Sequence, residues 1–232
     1  MTEIYENEAL RNRMRAFEDR SQAGEVLADM LVPRYEGTAG VIVLAIPMGG
    51  VPVALKVKSR LSCTLELAIV RKIQIPGNTE AGFGAATGEG DLFLNEPLMA
   101  HLQLTDKEVA RQWAKVKEEL TRRNRLLRGN RPYPDLEGRT VVLVDDGLAS
   151  GFTMKAAIFM ARKRKAAKIV VAVPTAPQRT IDALADGPDE IYCANIRETP
   201  AFAVAESYRR WYDLSESEVV KMLAGDKRAK MD

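Results

Sequence analysis

The chain has 232 residues, of which 46% are hydrophobic and 28% are charged, and its formal net charge is +2. A chain of this length and composition can form one large domain, or one domain with an appendage, and can bury a substantial core. The nearly balanced charge gives no global positive field that would favour nucleic acid. Two distant cysteines, Cys63 and Cys193, and a single histidine exclude a disulfide framework and argue against a zinc site.

No targeting or membrane segment is visible. Residues 1–20 are rich in Glu, Asn and Arg and lack the apolar core of a signal peptide. The longest apolar run, Val41–Leu55, contains two prolines and two glycines and is too short to span a bilayer. With thiols that fit a reducing compartment, we expect a soluble, cytoplasmic protein.

In chain order, short apolar runs alternate with amphipathic stretches. The runs rich in Val, Ile and Leu predict strands at Val41–Ile46, Leu65–Val70, Thr140–Asp145, Ile169–Val173 and Glu190–Ala194. They are continuous rather than alternating with polar residues, which is typical of parallel strands covered on both faces. Helices are predicted at about 19–32, 52–60, 152–164 and 177–185. The pattern predicts an α/β fold, a three-layer sandwich around a mostly parallel sheet.

Three stretches interrupt this alternation, although we expect residues 1–232 to form a single domain. Residues 72–95 are rich in glycine, which predicts a mobile loop followed by a short hairpin around Phe83–Thr87 and Leu92–Leu94. Residues 105–128 predict an inserted long helix, with Thr105 and Glu108 at the spacing of a capping box. Its apolar seam would pack on the core or on a second subunit, and a homo-oligomer would follow from the latter. Residues 196–232 form a C-terminal appendage.

The most informative run is residues 141–153, VVLVDDGLASGFT. Four apolar residues predict a buried strand, and Asp145 and Asp146 follow at its carboxyl end, where ligands bind in open α/β sheets. A loop with hydroxyls and a glycine then leads into a helix, whose N-terminal N–H groups suit a phosphate. The carboxylates would accept hydrogen bonds from sugar hydroxyls. A ribose 5-phosphate satisfies both halves of this segment, whereas a plain turn before a helix is the alternative.

This run resembles the signature of the type I phosphoribosyltransferases, which bind 5-phosphoribosyl-1-pyrophosphate (PRPP). The resemblance implies that Asp145 and Asp146, the catalytic candidates, hold the ribose hydroxyls. It implies that the 5-phosphate is bound by Ala149, Ser150, Gly151, Phe152 and Thr153.

A second loop, residues 46–52 (IPMGGVP), follows the first predicted strand and precedes a helix. In the same family such a loop binds pyrophosphate through backbone amides, and glycines permit the close approach. Met48, Gly49 and Gly50 are therefore expected in the pyrophosphate site. Related sequences often have Arg or Lys where this chain has Met48. The charge on the pyrophosphate would then come from Arg71 and Lys72.

The resemblance extends along most of the chain. Short segments that carry it are Asp19-Arg20, Val70-Arg71-Lys72, Pro76-Gly77-Asn78, Leu94-Asn95-Glu96 and Val171-Ala172-Val173-Pro174. It implies that the mobile loop at about 72–82 closes over PRPP, and that a small C-terminal hood covers the acceptor. Aromatic residues that would stack on an acceptor, or simply pack, are Phe202, Tyr208, Trp211 and Tyr212.

The implied reaction is transfer of the phosphoribosyl group to a small nitrogen acceptor with release of pyrophosphate. Mg²⁺ would be held mainly by ligand oxygens, with no direct protein ligand expected. Members that use hypoxanthine or guanine usually have Asp at the position of Ala149, so we expect a different acceptor. Any proton transfer would fall to another residue, such as Glu80 or Glu89.

The alternative is a non-catalytic sensor of PRPP or nucleotides that regulates RNA, DNA or a protein partner. It is favoured slightly by Met48. Its nucleic-acid contact would be a basic run, Arg122, Arg123, Arg125, Arg128 and Arg131. Such a run is more often a solvated helix face, so binding of nucleic acid is not the expectation.

Overall fold

The computed structural model describes residues 2–228, with the side chains of 79–81, 227 and 228 left aside. The strands are β1 (Glu3–Glu6), β2 (Val41–Ala45), β3 (Thr64–Leu67), β4 (Val70–Ile75), β5 (Asn78–Thr87), β6 (Leu92–Leu94), β7 (Thr140–Val144), β8 (Lys168–Pro177) and β9 (Glu190–Arg197). The central sheet has the order β1-β9-β8-β7-β2-β3, and its strands are paired in parallel. A smaller antiparallel sheet has the order β4-β5-β6.

The helices are α1 (Arg20–Tyr35), α2 (Gly50–Leu61), α3 (Glu96–His101), α4 (Asp106–Arg123), α5 (Phe152–Lys163), α6 (Gln178–Leu184) and α7 (Glu216–Arg228). A π-helical turn, Asn124–Arg128, continues α4. No helix among the described residues is long and apolar enough to cross a membrane.

Alternate residues of the central strands enter two different cores. In β2, Ile42 and Leu44 join the core that includes α5 and α6, while Val41, Val43 and Ala45 join the core under α1 and α2. Because side chains of a strand alternate between faces, both faces of the sheet are covered by helices. The predicted three-layer α/β sandwich with a mostly parallel sheet is confirmed.

The predicted strand at Leu65–Val70 is in fact divided between two sheets. β3 ends at Leu67, and the chain enters β4 at Val70. The residues that join the two strands, Leu67, Ala68, Ile69 and Val70, are all buried, so the sequence shows one continuous apolar run across β3 and β4. β1, which pairs with β9, was not predicted, since its sequence EIYE carries too few apolar residues.

More of the glycine-rich stretch is paired in strands than the sequence predicted. Most of the loop expected at 72–82 lies in β4 and β5, which pair around a turn where Gly77 has a φ of +79°. A Cβ on Gly82 would lie 3.0 Å from the carbonyl oxygen of Ile73, and one on Gly84 would lie 2.5 Å from that of Phe93. Glycine therefore serves close strand packing here. The predicted hairpin is present as β5 and β6.

The inserted helix begins where the sequence predicted. Thr105 Oγ1 accepts a hydrogen bond from the Glu108 backbone N–H at 3.3 Å, and Glu108 Oε2 accepts one from the Thr105 N–H at 2.9 Å. The buried side chains of Val116 and Leu120 join the core under α1 and α2. The seam of α4 thus packs on its own chain, beside β4.

Candidate functional site

Two acidic residues stand at the carboxyl end of β7, near the middle of the central sheet. Asp145 and Asp146 follow Val144, the last residue of the strand. The carboxylate of Asp145 accepts a hydrogen bond from the backbone N–H of Asp146 at 2.8 Å. This places the predicted acid pair at the strand end where ligands bind in open α/β sheets.

The loop between β2 and α2 is pressed against these two residues. β2 and β7 are neighbours, and Ala45 pairs with Val144, so both loops leave the sheet at the same edge. A Cβ on Gly49 would lie 1.9 Å from Oδ2 of Asp146, and one on Gly50 would lie 2.6 Å from the carbonyl oxygen of Val144. Only glycine fits at either position without displacing the acid pair. The Pro47–Met48 peptide bond in this loop is cis.

Met48 contributes an apolar side chain that packs against the core under α1 and α2. It supplies neither a charge nor a strong hydrogen-bond donor. The polar part of this loop is therefore its backbone, and any cationic contact with a ligand must come from other elements.

The loop after the acid pair turns into α5 and is anchored from behind. The Leu148 N–H donates to the Thr175 carbonyl at 2.9 Å, and Thr180 Oγ1 donates to the Ala149 carbonyl at 2.6 Å. Gly151 has a φ of +75°, and a Cβ there would lie 2.9 Å from Thr180. Ala149 and Ser150 are exposed at the tip.

The first turn of α5 begins at Phe152 and Thr153. Backbone N–H groups in the first turn of a helix have no intrahelical partner and face outward along the axis. The predicted phosphate-binding residues therefore form one continuous loop and helix start. The side chain of Phe152 lines a separate apolar cavity with Phe93 and Phe159.

Arg20, whose role the sequence did not reveal, forms a buried ion pair with the acid pair. Its Nε donates to Oδ2 of Asp146 at 2.7 Å, and one terminal nitrogen donates to the Tyr212 carbonyl at 2.9 Å. The guanidinium lies 3.8 Å from the centre of the Trp211 ring. The sequence offers Asp19-Arg20 only as a family-like dipeptide, and no spacing rule connects it to a carboxylate 126 positions away.

The aromatic residues of the C-terminal segment serve this arrangement. Tyr208 is buried, its ring lies tilted against Phe17, and its hydroxyl donates to the backbone carbonyl of Asp146 at 2.5 Å. Trp211 packs on Tyr208 and Arg20. Packing, the more ordinary of the two interpretations, therefore describes Tyr208 and Trp211, whereas Tyr212 is 54% exposed.

The electrostatics of the acid pair are dominated by burial. Burial raises the pKa of Asp145 well above its usual value, and the neighbouring charge of Asp146 raises it further. Burial also raises the pKa of Asp146, while the Arg20 guanidinium acts in the opposite direction. A carboxylate that is costly to ionise because it is buried gains most from a ligand that donates hydrogen bonds to it.

Arg71 and Lys72, adjacent residues of β4, lie near the loop after β2. They line a cavity of about 400 Å³ that also includes Pro47 from the loop after β2 and Thr153 from α5. Its other walls are Val70, Gln74, Gln112, Lys115, Val116, Glu119 and Arg123. We call it the α4 cavity. Arg71 forms an ion pair with Glu119, and burial lowers the pKa of its guanidinium.

Glu89, one of the two suggested proton-transfer residues, is placed elsewhere. It pairs with Arg164, just beyond the carboxyl end of α5. The loop at 149–153 is at the other end of this 12-residue helix, which is about 18 Å long. That role is wrong for Glu89. The side chain of Glu80 lies outside the described residues.

The basic run lies at the end of α4 and beyond it, and three of its five residues, Arg122, Arg125 and Arg131, are exposed as expected for a solvated face. Arg122 binds Glu216 through two hydrogen bonds of 2.6 Å, and Arg123 lies 3.2 Å from Glu119. Arg128 is 1% exposed and its guanidinium lies 3.5 Å from the Tyr133 ring centre. The solvated face is thus partly neutralised by carboxylates, and Arg128 is excluded from it.

The acid pair offers hard oxygen atoms of the kind that Mg²⁺ prefers. Among the residues with described side chains, no group of three or more His, Cys, Asp or Glu residues is placed to hold a metal ion. Neither Cys63 nor Cys193 forms a disulfide, and burial raises the pKa of Cys193 to about 12.

Comparison with known proteins gives a consistent match. Residues 16–209 match the family model of the phosphoribosyl transferase domain. Two Mycobacterium tuberculosis proteins, each named "Putative phosphoribosyl transferase" (MT0597 in strain CDC 1551 / Oshkosh and Rv0571c in strain ATCC 25618 / H37Rv), are 39% identical over 212 residues. These alignments cover 90% of the chain but 47% of each relative, so the chain spans about half their length.

A solved structure extends the match to the fold. The crystal structure of TT1426 from Thermus thermophilus is 32% identical to the chain, with a TM-score of 0.78. The comparison covers 90% of this chain and 98% of that chain.

Proposed function

The chain belongs to the phosphoribosyl transferase domain family, and on this premise we propose that it binds PRPP and transfers its phosphoribosyl group to a small nitrogen acceptor, with release of pyrophosphate. One observation carries the proposal. The Gly49-Gly50 loop lies directly on the Asp145-Asp146 pair, at a distance that only glycine permits. Two loops that suit the two ends of PRPP thus meet at one sheet edge.

Each part of PRPP has a matching group in this arrangement. Asp145 and Asp146 would accept hydrogen bonds from the ribose hydroxyls, because carboxylates are strong acceptors. Backbone N–H groups of residues 149–153 would bind the 5-phosphate at the start of α5. The backbone of residues 48–50, with Arg71 and Lys72 across the α4 cavity, would bind the pyrophosphate.

Magnesium fits this scheme through the ligand. Oxygen atoms of the pyrophosphate and the ribose would hold most of its coordination sphere, near the Asp145 and Asp146 carboxylates. When bound, the ion would neutralise charge on the departing pyrophosphate. The chain itself would orient the ribose and exclude water.

The expected chemistry needs positioning more than acid–base catalysis. The bond between C1 of the ribose and the pyrophosphate oxygen breaks, the nitrogen of the acceptor attacks C1, and the electron pair leaves with the pyrophosphate. Two carboxylates beside the ribose would stabilise the positive charge that develops on the ring.

The side chain at position 149 bears on the acceptor. Ala149 is exposed at the loop tip and its carbonyl is held by Thr180, so the position has no group that could exchange a proton with a base. A positioned acid or base contributes about 10²–10⁴-fold in rate. We therefore expect poor turnover of hypoxanthine and guanine.

A turnover assay tests the proposal. The protein would be mixed with PRPP and Mg²⁺ and with each of a panel of purines, pyrimidines and small amines, and pyrophosphate release would be measured. We expect release that depends on one class of acceptor and disappears in Asp145→Asn/Asp146→Asn. Brisk turnover of hypoxanthine or guanine would contradict the role assigned to Ala149.

The sensor alternative is still supported by Met48, since a protein that only binds PRPP has less need of charge on the leaving group. The pairing of Arg122 and Arg123 with Glu216 and Glu119 reduces the basic surface that it requires. PRPP binding without release of pyrophosphate for any acceptor would favour it, together with salt-sensitive binding of RNA or DNA.

A further inference from the structure

The α4 cavity is adjacent to the proposed pyrophosphate site. One of its walls is formed by α4, which lies outside the loops at residues 46–52 and 149–153. Pro47 and Thr153 belong to the two ligand loops, whereas Gln112, Lys115 and Glu119 come from α4. Its volume of about 400 Å³ is within the range of sites that bind small molecules. The inserted helix is therefore placed to contact whatever the loops hold.

The charges around the cavity are unequal. Among its described lining residues, the cationic side chains are Arg71, Lys72, Lys115 and Arg123, and the one carboxylate is Glu119. Arg71, Lys115 and Arg123 bring like charges to one small space, so an anion placed between them is favourable. Lys115 is exposed, and no described carboxylate lies within ion-pairing distance of it.

Glu119 now occupies the position of such an anion. It forms an ion pair with Arg71 from β4 and lies 3.2 Å from Arg123 on its own helix. The Nε of Arg123 is buried without a hydrogen-bond partner among the described residues. Arg123 also lies 3.6 Å from Glu216. Among the described residues, Arg71 is paired with Glu119, whereas Lys115 has no carboxylate within ion-pairing distance.

We propose that α4 supplies the outer wall of the pyrophosphate site, where Lys115 contacts the pyrophosphate of PRPP and Glu119 is the counter-ion that the pyrophosphate replaces at Arg71. This inference rests on the proposed function. It explains how the chain binds a highly charged group although Met48 brings no charge to the loop.

The two residues on α4 should then act in opposite directions. Removing the Lys115 charge takes away an attraction, so pyrophosphate binding weakens. Removing the Glu119 charge takes away both a repulsion and a competitor for Arg71, so binding tightens. A variant that merely disturbed the helix would weaken binding in both cases, and the opposite signs therefore separate a ligand contact from a structural role.

The test is calorimetric titration of the full chain with inorganic pyrophosphate, PRPP and ribose 5-phosphate, each with Mg²⁺. The variants are Lys115→Ala and Glu119→Gln. Their matched controls are Lys117→Ala and Glu118→Gln, exposed residues of the same helix that do not line the cavity. In Lys115→Ala we expect pyrophosphate and PRPP to bind about three- to tenfold more weakly, a modest loss because the Lys115 charge is exposed. In Glu119→Gln we expect both ligands to bind about threefold more tightly. The controls and ribose 5-phosphate should change little.

Two results would overturn the inference. One is pyrophosphate affinity in Lys115→Ala equal to that in Lys117→Ala, and the other is weaker binding in Glu119→Gln. Both leave the proposed function intact if PRPP still binds the wild type. Failure of the wild type to bind PRPP and ribose 5-phosphate would instead refute the proposed function, and the pyrophosphate titrations would still show whether α4 forms an anion site.

Discussion

Asp145 and Asp146 are placed where ionisation is costly, and this has a measurable effect on stability. The folded pKa of Asp145 is raised above its ordinary value. The folded protein then binds protons more tightly than the unfolded chain, so the stability that this group contributes is present at low pH and is lost as pH rises through the folded pKa.

The first prediction is that Asp145→Asn/Asp146→Asn weakens PRPP binding at least tenfold, and that this double variant is less stable than Asp145→Asn alone, because it leaves the buried Arg20 guanidinium without its charged partner. Hydrogen bonds to a charged acceptor contribute roughly 1.5–3 kcal/mol each. Asparagine keeps the size of the side chain but does not ionise. Affinity is measured by calorimetry, and the free energy of unfolding at about pH 4.5 and about pH 8. We expect the single variant Asp145→Asn to gain stability relative to wild type as pH rises. Unchanged PRPP affinity would show that the carboxylates are only turn residues.

Gly49 gives a second prediction at this scale. A Cβ at Gly49 would collide with Asp146, so Gly49→Ala should displace the acid pair, abolish most PRPP affinity and destabilise the fold by about 1–3 kcal/mol. The matched control is Gly225→Ala in α7, where a Cβ meets nothing within 4 Å and should be neutral or stabilising. Equal behaviour of the two variants in thermal melts and PRPP titrations would contradict the close contact.

The sequence predicted site residues that are neighbours along the chain, but it did not predict contacts between residues far apart in the chain. The acid pair and residues 147–153 are contiguous, so the motif could be recognised and its local course predicted. Arg20 approaches Asp146 from 126 positions away, and only the packing of α1 and the C-terminal segment brings them together. Such a pair leaves no spacing pattern in a single sequence.

At the level of elements, hydrophobic runs predicted the buried strands well because both faces of the sheet are covered. β7 and β8 lie within a few residues of their predicted positions. The same signal failed between β3 and β4, where one buried run serves two sheets, and at β1, an edge strand with half-buried and exposed side chains. Gly82 in β5 was interpreted as a loop residue, although it permits close strand packing.

The hairpin of β4 and β5 leads to a third prediction. Arg71→Ala/Lys72→Ala should weaken PRPP binding more than ribose 5-phosphate binding, since both side chains line the α4 cavity rather than the loop at 149–152. Calorimetric titration of both ligands measures the difference. As a control, Arg60→Ala removes a partly exposed cation of α2 that pairs with Asp29, and it should affect neither ligand. Equal losses for the two ligands would mean that Arg71 and Lys72 act on the 5-phosphate or on folding.

Across the whole molecule, the parallel order β9-β8-β7-β2-β3 brings the loops after β2 and β7 to one edge of the sheet. The inserted helix and the hairpin close that edge on one side, and Arg20 with the C-terminal aromatic residues closes it on the other. The loops after β2 and β7 thus meet at an edge that is enclosed by elements from distant parts of the chain.

The most direct test of PRPP binding is its effect on the unfolding of the whole chain. A ligand that binds only the folded state stabilises it by about 2.7 kcal/mol at a hundredfold excess over its dissociation constant. We expect PRPP with Mg²⁺ to raise the free energy of unfolding by this amount at such an excess, and ribose 5-phosphate to raise it less at the same concentration. No shift with saturating PRPP, ribose 5-phosphate or nucleoside monophosphates would contradict the account.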